Sequence, residues 1–316
     1  MDINENISKN QNNSFLIKTR NETGRTKPLE YWGAECEYDV LTDVLLGPAE
    51  NYEWLNTSSL SKKTLRRGIK FDKRSAILQH DEIKSAFQSA GVKIHLLNSD
   101  KNLPYQIFAR DSSFMTPYGA VITNMAQWWR RGENFRAIET YNKIGIPIYD
   151  FVTAGTFEGG DFNVIEPGCA LIGWEGSEGR SQECGALQVK DWMESEGWEI
   201  FITDIDPFFV HIDLMIVMLA EKLAAVCLET IDPDVILWLK SKKIQILDVP
   251  FQETLALGCN VVALGNDRVL LPAHASTLKT LLKAEGFTIY DPEIQMISQG
   301  GGGLHCMCQS LRRTKS

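Results

Sequence analysis

Five stretches of this chain share one shape, and that repetition limits the fold more than any other feature. They are IKSAFQSAGVKIHLL (83–97), AIETYNKIGIPIYDF (137–151), LQVKDWMESEGWEIFIT (187–203), VILWLKSKKIQILDV (235–249) and LKTLLKAEGFTIYDP (278–292). Each reads as an amphipathic helix, a stop, and a short β-branched strand. Gly91, Gly145, Gly197 and Gly286 stand where a left-handed helix cap belongs, while the fourth unit has Lys242 and Lys243 there. The units recur roughly every fifty residues. A further apolar strand precedes each helix, in VLTDVLLGP, GAVITNMA, CALIGW, KLAAVCLE and RVLLPA. A strand–helix–strand unit cannot bury its apolar face alone, so such units pack against their neighbours. Five of them predict an α/β fold closed as a five-bladed α/β propeller with pseudo-fivefold repeats. An ordinary open α/β sheet is the alternative.

The polar outliers fall at a similar offset in every unit, in the linker after the strand. They lie in FARDSSF (108–114), FEGGDF (157–162), VHIDLM (210–215), FQETLALGCN (251–260) and GGGGLHCM (300–307). Linkers at equivalent positions of ring-arranged repeats converge on one end of the axis. Asp111, Glu158, Asp161, His211, Asp213 and Cys306 can therefore meet although nearly two hundred residues separate the first from the last. The four glycines before Leu304 fit a loop that must approach something closely and present a thiol.

This set bounds the chemistry. His211, Asp213 and Cys306 could ligate zinc, but several carboxylates beside one thiol is an odd mixture for a single metal. Nucleophilic catalysis fits better: a thiolate attacks, a histidine moves the proton, and a carboxylate orients the histidine. The surplus carboxylates would raise the thiol pKa and so do not serve the nucleophile alone. They make sense for a cationic substrate, because a planar guanidinium offers a fork of N–H donors that carboxylates accept bidentately.

FARD, EGGD, HID and GGGGLHCM, in that order, resemble the guanidino-group-modifying (pentein) superfamily, over roughly Tyr38 to Arg313. That superfamily includes arginine deiminases, dimethylarginine dimethylaminohydrolases, agmatine deiminases and amidinotransferases. The resemblance implies the five-bladed propeller, Cys306 as nucleophile, His211 as general acid and base, and Glu158 as the acid supporting proton transfer. It implies Asp111 and Asp213 as the guanidinium-binding pair and Asp161 close to the substrate. Arg130, in QWWRRGE, and Arg180, in WEGSEGRS, correspond to arginines that bind the substrate's carboxylate. The implied activity is hydrolysis of the guanidino group of arginine or a derivative through a covalent thiouronium, with no metal or organic cofactor. Transfer of the amidino group to an amine is the alternative, suggested by HID and by the terminal LHC…RR; EGGD and Arg130 lean toward hydrolysis. Many dimethylarginine enzymes lack the second aspartate of HxD, whereas Asp213 is present. A catalytically inactive binding protein is a third reading, against which the retention of all six polar residues argues.

Without the other motifs, HID would be an ordinary strand edge. His305 is expected to pack the loop, Arg110 to form a structural ion pair, and the remaining cysteines to be small buried residues. Seven cysteines without CxxC pairs fit a reducing, cytoplasmic location. The net charge of −9 disfavours nucleic acid and anionic membrane as partners. The N-terminus lacks a signal-peptide core, and the most apolar stretch, Leu214 to Leu228, is broken by Glu221 and Lys222. The partner left is a small guanidino substrate; a homo-oligomer is compatible with the sequence. Residues 1–28 are polar and Asn-rich and are expected to be a disordered tail, and residues 29–316 a single catalytic domain.

Overall fold

The structure, a computed structural model, describes residues 17–176, 179–206 and 208–315. Its strands group into five three-stranded sheets. The first joins β1 (Val40–Leu46) and β2 (Lys93–Leu96) to the last strand, β15 (Cys308–Thr314). The second holds β3 (Ser113–Thr116), β4 (Gly119–Ile122) and β5 (Ile148–Phe151). The third holds β6 (Phe162–Glu166), β7 (Cys169–Trp174) and β8 (Glu199–Asp204). The fourth holds β9 (Ile216–Ala220), β10 (Leu223–Val226) and β11 (Gln245–Asp248). The fifth holds β12 (Val262–Ala263), β13 (Arg268–Leu270) and β14 (Thr288–Tyr290). In every sheet the central strand pairs antiparallel with one neighbour and parallel with the other.

The parallel pair in each sheet needs a crossover, and a helix supplies it. Helices α1 (Ser59–Arg66) and α2 (Lys73–Ser89) link β1 to β2, α3 (Glu133–Ile144) links β4 to β5, and α4 (Glu183–Ser195) links β7 to β8. α5 (Pro233–Ser241) links β10 to β11 and, after the short α6 (Phe251–Leu255), α7 (Ser276–Ala284) links β13 to β14. Two single turns, α8 (Gln295–Ser298) and α9 (Leu304–Met307), lead into β15. Each crossover helix buries one stripe: Ala76, His80, Ile83 and Phe87 of α2, Ala137 and Tyr141 of α3, Val235 and Leu239 of α5, Leu278 and Leu282 of α7. A buried side chain of that size contributes roughly 1.5–3 kcal/mol. The stops behave as the repeat predicts. Gly91, Gly145, Gly197 and Gly286 have φ of +78°, +78°, +88° and +88°, and Lys243 takes φ +59° at the fourth site, where no glycine is present.

The third, antiparallel strand of each sheet was not evident from the repeat. It comes from the short apolar run after each polar linker, as in SFMT of β3 and IVMLA of β9. Each linker therefore sits at the entry to a sheet's first strand. These first strands touch in series, β15 on β3, β6 on β9 and β9 on β12. Pairing of β15 with β1 ties the two ends of the chain together.

Of the segment expected to be a tail, residues 1–16 lie outside the described residues. From Ile17 onward the chain is docked. Thr19 N–H donates to Ile148 O at 2.8 Å, and its hydroxyl to Tyr118 O at 2.6 Å. Thr26 donates through its N–H and its hydroxyl to Glu196, both at 2.6 Å. Glu196 is buried, and these donors, with the Tyr149 hydroxyl at 2.9 Å, satisfy its carboxylate. Among the described residues no helix is long and apolar enough to cross a membrane.

Candidate active site

All five linkers reach one buried place. Asp111 lies in the first linker, two residues before β3 begins. Its Oδ2 accepts from Arg130 Nη1 at 2.6 Å, and its Oδ1 lies 3.7 Å from His211 Nδ1. That Oδ1 is buried without a hydrogen bond.

Glu158 opens the EGGD turn, which is tied to the first linker where Gly159 N–H donates to Asp111 O at 3.0 Å. Gly160 passes so close to the His211 ring that a Cβ would stand 2.6 Å from ring atoms. The glycine pair therefore lets two linkers approach each other. Glu158 Oε2 faces His211 Nε2 at 3.0 Å and Arg180 Nη1 at 3.3 Å, and Ala126 N–H donates to Oε1 at 3.1 Å. Burial alone would raise this carboxyl, but Arg180, His211 and Arg130 hold it down to about 2.

The third linker supplies His211 and Asp213, two residues apart with Ile212 between them. Burial disfavours the His211 imidazolium, yet Asp111, Asp161, Cys306 and Glu158 raise its pKa well above the usual value. Asp213 Oδ2 faces His305 Nδ1 at 2.7 Å, while its two oxygens lie 3.9 and 3.7 Å from Cys306 Sγ. Burial would raise the Asp213 carboxyl, but the His305 contact lowers it.

The fifth linker delivers Cys306 on α9. Asn260 Oδ1, from the fourth linker, accepts from His305 N–H at 3.0 Å and Cys306 N–H at 3.3 Å. Asn260 Nδ2 donates to Asp213 O at 3.0 Å. A Cβ on Gly303 would overlap the Asn260 amide, so the glycine run permits this clamp. Burial pushes the Cys306 thiol up, the Asp213 carboxylate adds to the push, and the nearby His211 opposes it, leaving it at about 12.

Asp161 and Arg130 take places that differ from those expected of them. Neither Asp161 nor Asp213 lines the cavity beside Cys306; Asp161 Oδ1 accepts from Ile212 N–H at 2.9 Å and anchors the HID turn. Burial raises its carboxyl to about 8. Arg130, expected at the substrate's carboxylate, is buried with its fork engaged. Nε and Nη2 donate to Glu133 at 2.9 and 2.7 Å, Nη2 also to Phe108 O, and Nη1 to Asp111. It therefore holds Asp111 in place. Burial pushes the Glu133 carboxyl up to about 7 against the pull of Arg130. Arg180 lines the cavity and pairs with Glu158.

Four site residues were not singled out from sequence. Glu133 had a weak signal, three residues after Arg130. Asn260 sat in a linker to which no polar role was given. Glu175 accepts from Arg180 N–H at 2.8 Å. Glu37 is far away in sequence, yet its carboxylate faces Arg110 Nη2 at 2.7 Å and His305 Nε2 at 3.1 Å. Arg110 forms a structural ion pair, as expected of it. His305 does more than pack the loop, since it bridges Glu37 and Asp213.

Among the described residues, donor atoms of Asp111, Glu158 and His211 lie within 4.8 Å of one another, close enough to hold a metal ion. Arg130 and Arg180 already pair with those two carboxylates, so a divalent cation there would sit against two guanidinium groups. Cys306, His211, Asp111, Arg130 and Arg180 line an internal cavity of about 10 Å³. That is room for about one water molecule. A guanidino compound enters only if the cavity wall moves.

A family model described as eukaryotic N,N dimethylarginine dimethylhydrolase matches residues 55–313. The chain is 26% identical over 236 residues to the uncharacterised Bacillus subtilis protein YkgA, covering 74% of this chain and 79% of that one. It is 24% identical over 242 residues to the N(G),N(G)-dimethylarginine dimethylaminohydrolase of Pseudomonas aeruginosa, covering 76% and 89%. A solved Pseudomonas aeruginosa structure of that name, a mutant complexed with citrulline, superposes with a TM-score of 0.71 at 21% identity, over 85% of this chain and 99% of that one. SxtG, an amidinotransferase from Microseira wollei, superposes with a TM-score of 0.73 at 18% identity, over 90% and 98%.

Proposed function

This chain belongs to the N,N dimethylarginine dimethylhydrolase family of guanidino-modifying enzymes, and from that membership we propose that it hydrolyses the guanidino group of arginine or an arginine derivative, with Cys306 as nucleophile. The observation that carries this reading is the thiol of Cys306, 3.7 Å from Asp213, in a cavity that it lines together with His211 and Asp111. The five sheets are read as propeller blades, and residues 29–316 as one catalytic unit. The seven cysteines are all free thiols, which fits a cytoplasmic enzyme.

The substrate guanidinium docks between Asp111 Oδ1, which has no hydrogen bond, and Asp213 Oδ1. Arg130 and His305 hold the other oxygen of each aspartate. As the cation's charge arrives, the Cys306 thiol loses its proton to solvent. The thiolate attacks the central carbon and a C–S bond forms. His211 gives a proton to the departing nitrogen, the C–N bond breaks, and a thiouronium remains. His211, now neutral and oriented by Glu158, takes a proton from water as its oxygen attacks the same carbon. The C–S bond breaks, the added hydroxyl gives its proton to solvent as the carbonyl forms, the thiolate returns, and a ureido product leaves. The sum is guanidino compound plus water giving ureido compound plus amine.

Amidino transfer shares every step up to the thiouronium, and the fold likeness to SxtG keeps it as the second reading. Turnover of arginine and methylarginines in isotopic water, with and without an added amine, separates the two. Ureido product carrying one solvent oxygen without any amine supports hydrolysis. Turnover that needs an amine and yields a new guanidino compound establishes transfer.

A further inference from the structure

Residues 62–74, which close α1 and open α2, carry seven lysines and arginines against one acid, Asp72, in a chain of net charge −9. All seven cations are exposed. Cations on the other long helices are paired: Lys84 with Asp81, Arg136 with Asp100 and Glu139, Lys190 with Glu194, Lys279 with Asp291. Among the described residues, none of the seven forms an ion pair. The fold gains nothing from this density of charge. Lys62 and Arg66 stand four apart, as do Lys63 and Arg67, and like charges at that spacing repel on a helix surface. Lys73 and Arg74 occupy the first turn of α2, where the helix dipole favours acids. Solubility does not call for them either, because they reduce the magnitude of the chain's net charge. Their use lies outside the fold.

Apolar side chains stand among these cations. Ile69, between Arg67 and Lys70, is 37% exposed, and Phe208 and Leu255 are 50% and 38% exposed. Lys63 Nζ lies 5.2 Å over the Phe208 ring. Lys63, Arg67, Phe208 and Leu255 line one surface groove of about 520 Å³, and no aspartate or glutamate lines it. The acids that flank the patch are engaged with backbone: Asp72 Oδ1 accepts from Arg74 N–H at 3.0 Å, and Asp206 Oδ1 from Phe208 N–H at 2.9 Å. This combination selects among anionic partners. The cations suit any phosphate, but exposed Ile69, Phe208 and Leu255 gain only where an apolar phase is also at hand. A nucleic-acid backbone gives an aliphatic side chain no such phase. An anionic bilayer offers phosphate at its surface and acyl chains just beneath. Clusters of about four to eight lysines and arginines on a helix attract anionic headgroups. A bilayer senses charge within about one Debye length, roughly 8 Å at physiological ionic strength, so this face counts and the acids of other faces are screened.

We propose that the face formed by residues 62–74 with Phe208 and Leu255 is a docking surface for an anionic phospholipid membrane. The cations lie at the headgroups, and Ile69, Phe208 and Leu255 enter the interface. The association is peripheral, and it does not depend on the chemistry at Cys306.

The test is cosedimentation of the full chain with vesicles of phosphatidylcholine, alone or mixed with phosphatidylserine, at low and at high salt. The wild type should bind the mixed vesicles, leave the phosphatidylcholine vesicles alone, and be released by salt. Lys62→Gln with Arg66→Gln should weaken binding at least tenfold, since each cation near an anionic surface contributes about 1 kcal/mol, roughly fivefold. This double variant should keep the wild-type Tm or exceed it, because it removes a like-charge pair. Lys240→Gln with Lys283→Gln changes the net charge equally, at exposed residues near the ends of α5 and α7, and should bind as the wild type does. Ile69→Ser with Phe208→Ser keeps every charge and should weaken binding several-fold. No binding to the mixed vesicles, equal binding to both kinds, or an equal loss in the Lys240 and Lys283 variant would overturn the proposal. So would a wild type that binds single-stranded RNA or polyglutamate at the same salt and ignores the vesicles, since the partner would then be another polyanion.

Discussion

Replacing Asp213 with asparagine should make Cys306 more reactive in the free protein and at the same time abolish turnover. Asp213 oxygens lie 3.7 and 3.9 Å from Sγ, in a buried setting where the thiol stands at about 12. At 3.7 Å and an effective dielectric of about 20, one unit charge opposes the thiolate by about 4 kcal/mol. That corresponds to about three pH units at roughly 1.4 kcal/mol each. The His305 contact at 2.7 Å cancels part of this charge, so a downward shift of about one to two units is expected. Asparagine keeps an acceptor oxygen for His305 Nδ1 and removes the charge. The assay is the pH dependence of iodoacetamide labelling, read by fragmentation of the peptide that carries both Cys306 and Cys308. At pH 8 the variant should label at least tenfold faster than the wild type. Its kcat/KM should fall by at least a hundredfold, because the guanidinium loses a charged acceptor that also aims its carbon at sulfur. Labelling that is unchanged or slower would refute the claim that Asp213 keeps the thiol protonated.

Cys306→Ser and Cys306→Ala should each remove several orders of magnitude of turnover with little change in Tm, whereas Cys308→Ala should stay active; the reverse pattern would identify the other sulfur. Treatment with EDTA should leave activity intact, and stoichiometric zinc whose removal abolishes activity and whose return restores it would overturn the metal-free mechanism. Glu37→Gln should lose an acid-dependent part of the stability. Burial alone would raise the Glu37 carboxyl, but Arg110 and His305 hold it down to about 2 in the folded state, against 4.5 as its ordinary value. A depressed carboxyl stabilises the fold above its ordinary pKa and loses that contribution as pH falls through the folded value, so about 3 kcal/mol should separate the proteins near pH 6. The gap should close between about pH 4.5 and 2 in melting experiments, and a pH-independent gap would mean that Glu37 acts through packing alone.

The repeat made much of this architecture readable. Helices with an apolar stripe and a left-handed stop leave a period in the sequence, and Gly91, Gly145, Gly197 and Gly286 mark it. Even the break in that pattern had a physical meaning, since Lys243 adopts the left-handed conformation itself. The antiparallel strands were harder to see because β12 spans Val262–Ala263 only and leaves no alternation to count. At the candidate site, residues inside compact motifs were found. Those missed act through tertiary contact. Glu37 faces His305 across 268 residues, a relation that no local pattern encodes. Arg130 stood out by its spacing, and its fork here holds Glu133 and Asp111. Spacing reveals that a guanidinium is nearby but not what its fork is already holding.

The arrangement of buried charge gives these positions a common logic. A buried carboxylate is costly without a partner, and four here are paired with cationic groups: Asp111 with Arg130, Glu158 with Arg180, Asp213 with His305, Glu37 with Arg110. Such pairing stabilises the carboxylates and leaves Asp111 Oδ1 without a hydrogen bond. The Cys306 thiol stays protonated because it is buried with an Asp213 oxygen 3.7 Å away. On the proposed reading, the substrate's guanidinium adds a further cation to this lattice. Its arrival would satisfy the Asp111 oxygen that lacks a hydrogen bond and reverse the sign of the field at Sγ in one event. A nucleophile controlled in this way remains inert toward stray electrophiles until the correct cation is bound. An uncharged analogue of the same shape would then fill the site without activating the sulfur.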